Sequence, residues 1–418
     1  MNQETKKKLH EAVLAHKDEL VQLVSQLIQI NSENPCGTQD EVIAFVRQYL
    51  GKCGIETQQI DTIEGHPIVT AEMGNRSGYN LILNGHVDVV PIGDPKGWDF
   101  DPCGGEITET TIRGRGTSDM KAGVACLLFT MRMLKESGAK LGGCLRLHIV
   151  SDEEAGGRGT RWLCENGYAD GAQACLIAEP TSYDNIEIGQ KGGMHMKLIA
   201  HGTPAHGSLG NYKGDNAIMK MGRLLQHVNE LTAVPGHYAP EQKQALDNSR
   251  LICERANSNG SADAIDHLTC NPGIIQGGNK INMVPDTCEC LCDCRLPIGI
   301  RHEDIEEAVK KMIANSGETG IEYELDYHSE ANFTDYDAPI VRMVHKNAEA
   351  IWGRTVLPAY QWASSDAKYY RDLGIQTIQY GPANCEGIHG YNEDVDIEDV
   401  IHAAEIYMLS FCELLDVE

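Results

Sequence analysis

The sequence predicts an α/β protein, a mostly parallel sheet sandwiched by helices and interrupted by an inserted ferredoxin-like α+β domain. Three observations carry this expectation. Up to about Ile188, apolar strands alternate with helical stretches, and strands that are apolar throughout belong to parallel sheets covered on both faces. From Ile188 the order becomes strand, helix, strand, strand, helix, strand, the ferredoxin-like pattern. After about Asp335 the helix–strand alternation resumes. With 418 residues, two domains are the default. The expected division is 1–188 and 333–418 for the first domain and 189–332 for the insert.

The elements follow in chain order. Residues 5–30 have an amphipathic helical period, in one or two pieces, and Asn31–Pro35 breaks it. Thr38-x-x-Glu41 is a capping box that starts a helix running to about Cys53. Strands are expected near 67–72 and 80–86, and Thr108–Arg113 has the character of a hairpin. Asp119 opens a helix to about Ser137. Leu145–Val150 and Ala174–Ala178 read as buried strands around a helix at Arg158–Asn166. In the insert, Met194–Ala200, Leu268–Ile275, Thr287–Leu296 and Ile321–Tyr327 read as strands. Asp215–Asn229 and His302–Ala314 read as helices, and residues 233–267 as loop plus one strand. Cys288, Cys290, Cys292 and Cys294 share one strand face. Such thiols stand ~6–7 Å apart, which suits packing under helices, whereas zinc ribbons use a CxxC spacing.

Composition narrows the partners. The formal charge is 35 minus 61, or −26, with no long basic run, which argues against nucleic acid and anionic membrane. No stretch of ~18 apolar residues exists to span a bilayer, and the N-terminus lacks the apolar core of a signal peptide. The 15 cysteines sit among apolar neighbours and read as reduced thiols, so a cytoplasmic location is expected.

Chemistry in open α/β sheets gathers beyond the C-terminal ends of the strands. Leu81-Ile82-Leu83 leads there into Asn84-Gly85-His86-Val87-Asp88. His86 and Asp88 project together, a metal-binding imidazole beside a carboxylate that can fix its tautomer; a surface pair has the same spacing. Four further clusters follow. Gly114–Lys121 places Asp119 at a helix start, where a plain N-cap is the alternative. Ser151-Asp152-Glu153-Glu154 puts three acids at a strand end, so a cation should sit there or one acid should hold a proton. Glu179-Pro180 follows a buried strand, and His389 lies in a late loop. Together they supply the set that two divalent metals ~3.5–4 Å apart require, one bridging carboxylate with a His and a carboxylate for each ion. A further carboxylate is then needed to take a proton from the water between them. Glu153 and Glu154 are adjacent, so one can ligate while the other faces that water.

The set NGHVDVVP, GRGTSDMKAG, SDEEAGG, EP, AHGS, NMVPD and a late His resembles the acetylornithine deacetylase, succinyl-diaminopimelate desuccinylase and glutamate carboxypeptidase family of co-catalytic zinc hydrolases, which includes aminoacylases. The resemblance runs from Ser32–Pro35 to His389. It implies a zinc-exopeptidase-like catalytic domain, with His86 and Glu179 holding one zinc, Glu154 and His389 the other, and Asp119 bridging. It implies that Asp88 orients His86, that Glu153 is the general base, and that the Asp119-Met120 peptide is cis. The insert becomes a lid and homodimerisation domain, whose His206 reaches the partner's active site as an oxyanion donor. Asn282, Arg295, Ser364 and Lys368 match substrate-contacting positions. Lys368 stands where the deacylases usually carry Arg, and Lys cannot grip a carboxylate bidentately. Without the resemblance, His206 reads as a surface loop residue, Asn282 as a turn residue, Arg295 as a strand-end cation and Lys368 as solvated helix surface.

The implied activity is removal of an acyl group from an N-acyl amino acid or related small amide by metal-activated water, with Zn²⁺ as the metal and Co²⁺ or Mn²⁺ as alternatives. Two other readings stand beside it, a metal-dependent carboxypeptidase or dipeptidase of the same family and a non-catalytic binding protein on the same fold. Glu179, where the peptidases often have Asp, leans toward the deacylase; the presence of Glu153 argues against the binding protein.

Overall fold

The computed structural model describes residues 3–35, 39–210, 212–256 and 260–417. The backbone divides into two units. One takes the chain up to Ile188, Phe333–Ala359 and Ser365 onward; the other takes Gly189–Asn332 and Tyr360–Ser364.

The sheet of the first unit runs in the order Thr57–Ile60, Ile68–Gly74, Cys144–Val150, Asn80–His86, Ala174–Ile177, Gln376–Gln379, Asn185–Gln190. The four strands from Cys144–Val150 to Gln376–Gln379 are mutually parallel. The flanking pairs are antiparallel, so the sheet is mixed with a parallel centre. Every residue of Asn80–His86, Cys144–Val150 and Ala174–Ile177 is buried. That is why these segments read as near-continuous apolar runs. The helix Ala122–Glu136 packs against Lys17–Ile28 and Ile397–Leu414, while Arg158–Glu165 packs on Cys144–Val150 and Ala367–Asp372.

The second unit is a four-stranded antiparallel sheet in the order Thr269–Gly277, Thr287–Leu296, Gly192–His201, Ile321–Ser329. The helices Ala217–Leu224 and His302–Ser316 complete the ferredoxin-like order. One sheet face packs into a core that includes Met194, Met196, Leu198, Val309 and Met312. Cys288, Cys290, Cys292 and Cys294 alternate inward into that core as small apolar residues.

The first helical stretch takes its two-piece form, Gln3–Ala15 and Lys17–Ile28. Several other expectations change. The next helix starts at Asp40; Thr38 of the expected capping box lies outside the described residues. Asp119 does not open a helix. It lies inside a π-helical turn, Thr117–Lys121, with φ −121° and ψ 99°, and Asp119-Met120 is cis. The α-helix begins at Ala122. A capping aspartate would turn its carboxylate onto the helix's own amides; this one is aimed at two histidines instead. Residues 233–267 contain the helix Lys243–Ala256 and the short turn of helix Asp263–Asp266, with no strand among the described residues. The buried positions over Gln242–Cys253 are Gln242, Ala245, Asn248, Ser249 and Cys253. They keep a helical spacing, but most are polar, so hydrophobic periodicity does not report them.

Candidate metal centre

The parallel centre of the sheet sets the site. His86 is the last residue of its strand. The strand ending at Val150 runs through Ser151 and Asp152 into a 3₁₀ turn at Glu153–Ala155. Glu179 follows the strand ending at Ile177, and His389 lies in the loop between Gln376–Gln379 and Asp394–Asp396. All four therefore emerge at the C-terminal ends of parallel strands, the edge where such sheets bind ligands. The backbone around Glu179 is closely approached. A Cβ on Gly123 would stand 2.1 Å from the Ala178 carbonyl oxygen, and one on Gly381 2.3 Å from it. Only glycine permits both contacts.

The five side chains form two triads that share one residue. His86, Asp119 and Glu179 form the first; Asp119, Glu154 and His389 form the second. In each triad one donor atom per residue lies within 4.8 Å of the others. His86 Nε2 is 3.1 Å from Asp119 Oδ1 and 3.7 Å from Glu179 Oε2. His389 Nε2 is 3.2 Å from Asp119 Oδ2 and 3.1 Å from Glu154 Oε1. Asp119 thus offers one carboxylate oxygen to each side. Two imidazoles and three carboxylates at these separations suit borderline divalent cations such as Zn²⁺.

The electrostatics point the same way. Burial would lower the His86 imidazole, but Glu179, Asp119 and Asp88 together hold its pKa well above the usual value. Hydrogen bonds to Asp119 and Glu154 raise His389 to about 10. Burial would raise Asp119, yet the two histidines hold it below the ordinary carboxylate range. Glu179 is pushed up by burial and by its acidic neighbours. The surrounding carboxylates thus favour positive charge at both imidazoles. Glu153 belongs to neither triad. Burial, then Glu179 and Asp366, push its affinity for a proton well above the ordinary range. Its surroundings therefore favour the protonated form.

Asp88 differs in detail from the expectation. His86 Nδ1 meets the Asp88 backbone carbonyl at 2.9 Å, while the Asp88 carboxylate is 3.5 Å away. That carboxylate instead accepts from Asn34 Nδ2 at 2.9 Å and from the backbone N–H groups of Glu153 and Glu154 at 3.3 and 3.2 Å. The carbonyl orients the imidazole and the carboxylate anchors the acidic turn.

Three contributors escaped the sequence. Glu393 accepts from the backbone N–H groups of Ser118 and Asp119 and pairs with Arg115. Arg115 also donates to the Gly390 carbonyl beside His389. Asp366 is buried and accepts from Thr160 Oγ1 at 2.5 Å; burial, opposed by that bond, raises its pKa to about 7. Their partners lie far away in sequence, so no local spacing announces them.

The expected substrate contacts fall in both units. In the second, His206 forms a β-bridge to Met283, and Gly207 N–H donates to the Asn282 carbonyl at 2.8 Å, so the His206 and Asn282 loops lie side by side. The His206 imidazole is exposed and meets Ser208 Oγ at 2.7 Å. Arg295 Nε donates to Asp293 at 3.0 Å, and Ser364 Oγ accepts from Gln190 Nε2 at 3.1 Å. In the first unit, Lys368 is half-buried, its ammonium 4.9 Å from the centre of the Tyr369 ring.

A parallel-centred α/β unit with two carboxylate-linked histidine triads at its strand ends is the architecture of a metal-dependent hydrolase. Residues 82–411 match the model of peptidase family M20/M25/M40, and the chain belongs to that family. It is accordingly a hydrolase of amide bonds. An N-formyl-4-amino-5-aminomethyl-2-methylpyrimidine deformylase from Halalkalibacterium halodurans is 26% identical over 457 residues, covering 97% of this chain and 98% of that one. A probable succinyl-diaminopimelate desuccinylase from Staphylococcus aureus is 30% identical over 303 residues, covering 71% and 73%. Among solved structures, an M20 family metallo-carboxypeptidase from Sulfolobus solfataricus superposes with a TM-score of 0.76 at 18% identity, covering 95% of this chain and 99% of that one.

Proposed function

We propose that the chain is a two-metal amidohydrolase that removes an acyl group from an N-acyl amino acid or a related small amide. The observation that carries this reading is the shared carboxylate: Asp119 turns one oxygen to His86 and the other to His389. Donors of this geometry would hold one ion with His86 and Glu179 and a second with Glu154 and His389. When bound, two such ions acidify a water and polarise an amide carbonyl. Glu153 takes the water's proton and passes it to the leaving amine, and burial among other carboxylates suits it to both steps. Asp88 fixes the backbone from which Glu153 and Glu154 diverge. Zn²⁺ is the expected ion, with Co²⁺ and Mn²⁺ compatible with the same nitrogen and oxygen donors.

The second unit acts as a lid and as the contact of a homodimer, through which His206 donates a hydrogen bond to the reacting carbonyl oxygen of the partner's site. Asn282, Arg295, Ser364 and Lys368 contact the substrate. Lys368 is a single point charge, so the amine part of the substrate need not present a carboxylate to a bidentate clamp. No helix among the described residues is long and apolar enough to cross a membrane, and we place the enzyme in the cytoplasm.

The test is hydrolysis of N-formyl, N-acetyl and N-succinyl amino acids by metal-stripped protein with and without Zn²⁺. The panel includes the formylated aminomethylpyrimidine and succinyl-diaminopimelate, with dipeptides alongside. Zinc-dependent release from an acylated amine supports the reading. Release from dipeptides alone makes the chain an exopeptidase, and no turnover with metals bound overturns the catalytic reading.

A further inference from the structure

We propose that the solvent face of the second unit's sheet carries a separate site for one divalent transition-metal ion, held by His195, Asp326 and His328. The three are exposed, and one donor atom from each lies within 4.8 Å of the others. The antiparallel ladder creates this proximity. His195 lies in the strand Gly192–His201, and its register partner in Ile321–Ser329 is Asp326. His328, two residues further on, has no register partner, because the ladder shifts register between Tyr327 and Ser329, and its ring still lies beside the Asp326 carboxylate. The imidazole centroids of His195 and His328 are 3.8 Å apart, and His328 Nδ1 is 3.7 Å from Asp326 Oδ2.

Two imidazoles and a carboxylate select Zn²⁺, Ni²⁺, Cu²⁺ or Co²⁺ over Ca²⁺ and Mg²⁺. Ligands at ~2.0–2.1 Å from a tetrahedral zinc stand ~3.3–3.4 Å apart. Exposed side chains reach that separation by rotamer adjustment, with the paired backbone of His195 and Asp326 held by the ladder. A water fills the fourth position, as in other three-ligand sites. The cations on this face are already paired. Lys197 meets Glu289 at 3.1 Å, and Arg295 meets Asp293, the residue opposite His195 on the other neighbouring strand, at 3.0 Å. The cluster Asp263, Asp266 and His267 lacks this character, because Arg250 binds both of its aspartates. A bound ion would tie the strand that follows the chain's entry into this unit at Gly189 to the strand that precedes its exit at Asn332.

The site shares no residue with the metal centre, so it is testable whatever the chain hydrolyses. Full-length protein is equilibrated against micromolar Zn²⁺, and bound zinc is counted by mass spectrometry. Wild type is expected to hold one more zinc per chain than H195A/H328A, and D326A alone should also lose that ion, with turnover and circular dichroism unchanged. Cu²⁺ added to zinc-loaded wild type should give an electron paramagnetic resonance signal split by two imidazole nitrogens, absent from the double variant. Equal zinc counts in wild type and H195A/H328A, or a copper signal indifferent to the substitutions, would overturn the proposal.

Discussion

Glu393 joins the two stretches of chain that deliver Asp119 and His389. Its Oε1 accepts from Ser118 N–H at 2.9 Å and from Asp119 N–H at 3.1 Å; its Oε2 accepts from Arg115 Nη1 at 2.7 Å. The same guanidinium donates through Nη2 to the Gly390 carbonyl at 2.8 Å. Glu393 is 1% exposed and Arg115 4%. In Glu393→Ala the guanidinium stays buried without its counter-charge, and the two N–H groups lose their acceptor. Breaking a buried pair from one side costs about 3–5 kcal/mol. Glu393→Gln keeps an oxygen for the N–H groups and should cost less, about 1–3 kcal/mol. Replacing both partners, as in R115M/E393L, removes the stranded charge and should recover most of the stability. It should not recover metal retention, because Asp119 and His389 remain untethered. Urea unfolding and zinc retention against a chelator, measured on all three variants, separate the two effects. The reasoning fails if Glu393→Ala unfolds within 1 kcal/mol of wild type, or if R115M/E393L is no more stable than Glu393→Ala.

Further outcomes are expected. Glu153→Gln should lower kcat by roughly 10²–10⁴ at unchanged metal content, whereas Glu154→Gln should lose metal; a Glu153→Gln enzyme within tenfold of wild type would remove Glu153 as the base. His206→Ala should be inactive, and mixed dimers with a Glu153→Gln chain should regain partial turnover; mixtures as inactive as their parents would exclude a cross-subunit donor. Lys191 donates to the Ala264 and His267 carbonyls, and burial, then Arg295, lower its pKa from 10.5 to about 7. A depressed folded pKa means stability that is full above the unfolded value and lost as pH falls through the folded one. Wild type should therefore gain stability over Lys191→Met as pH rises from about 7 to 10, and a constant difference in urea midpoint across that range would contradict the shift.

Much of this architecture is written in local pattern. The strands through Leu83, Leu147 and Leu176 are buried on both faces, so their sequences are largely apolar and read as strands. His86, Glu154 and Glu179 are legible because each polar residue follows such a run directly. The antiparallel flanks of the sheet are not legible, because strand direction depends on connections that composition does not encode. The helix Lys243–Ala256 buries Asn248 and Ser249, and Ser249 Oγ accepts from the Tyr360 backbone N–H at 2.7 Å. A polar residue that satisfies a distant backbone group looks, in sequence, like surface. Arg115 and Glu393 are hidden for the same reason: each is ordinary in its own segment, and only the fold makes them partners.

Adjacent carboxylates of the same type meet different surroundings at this site, and the backbone explains how. Val150 ends a strand and Glu153 begins a 3₁₀ turn, so Glu153 and Glu154 leave the chain in different directions. Glu154 reaches His389, while the half-buried Glu153 feels the charges of Glu179 and Asp366. The turn's first two N–H groups are held by the Asp88 carboxylate, and the Asp152 carbonyl accepts from Ala155 and Gly157 N–H. Asp88 in turn follows His86 on the neighbouring parallel strand, and its own carbonyl sets that imidazole. A displacement of Asp88 would therefore move an imidazole of the first triad, a carboxylate of the second and the proposed base together. The short His-x-Asp segment thus links three candidate functional side chains through one backbone carbonyl and one carboxylate.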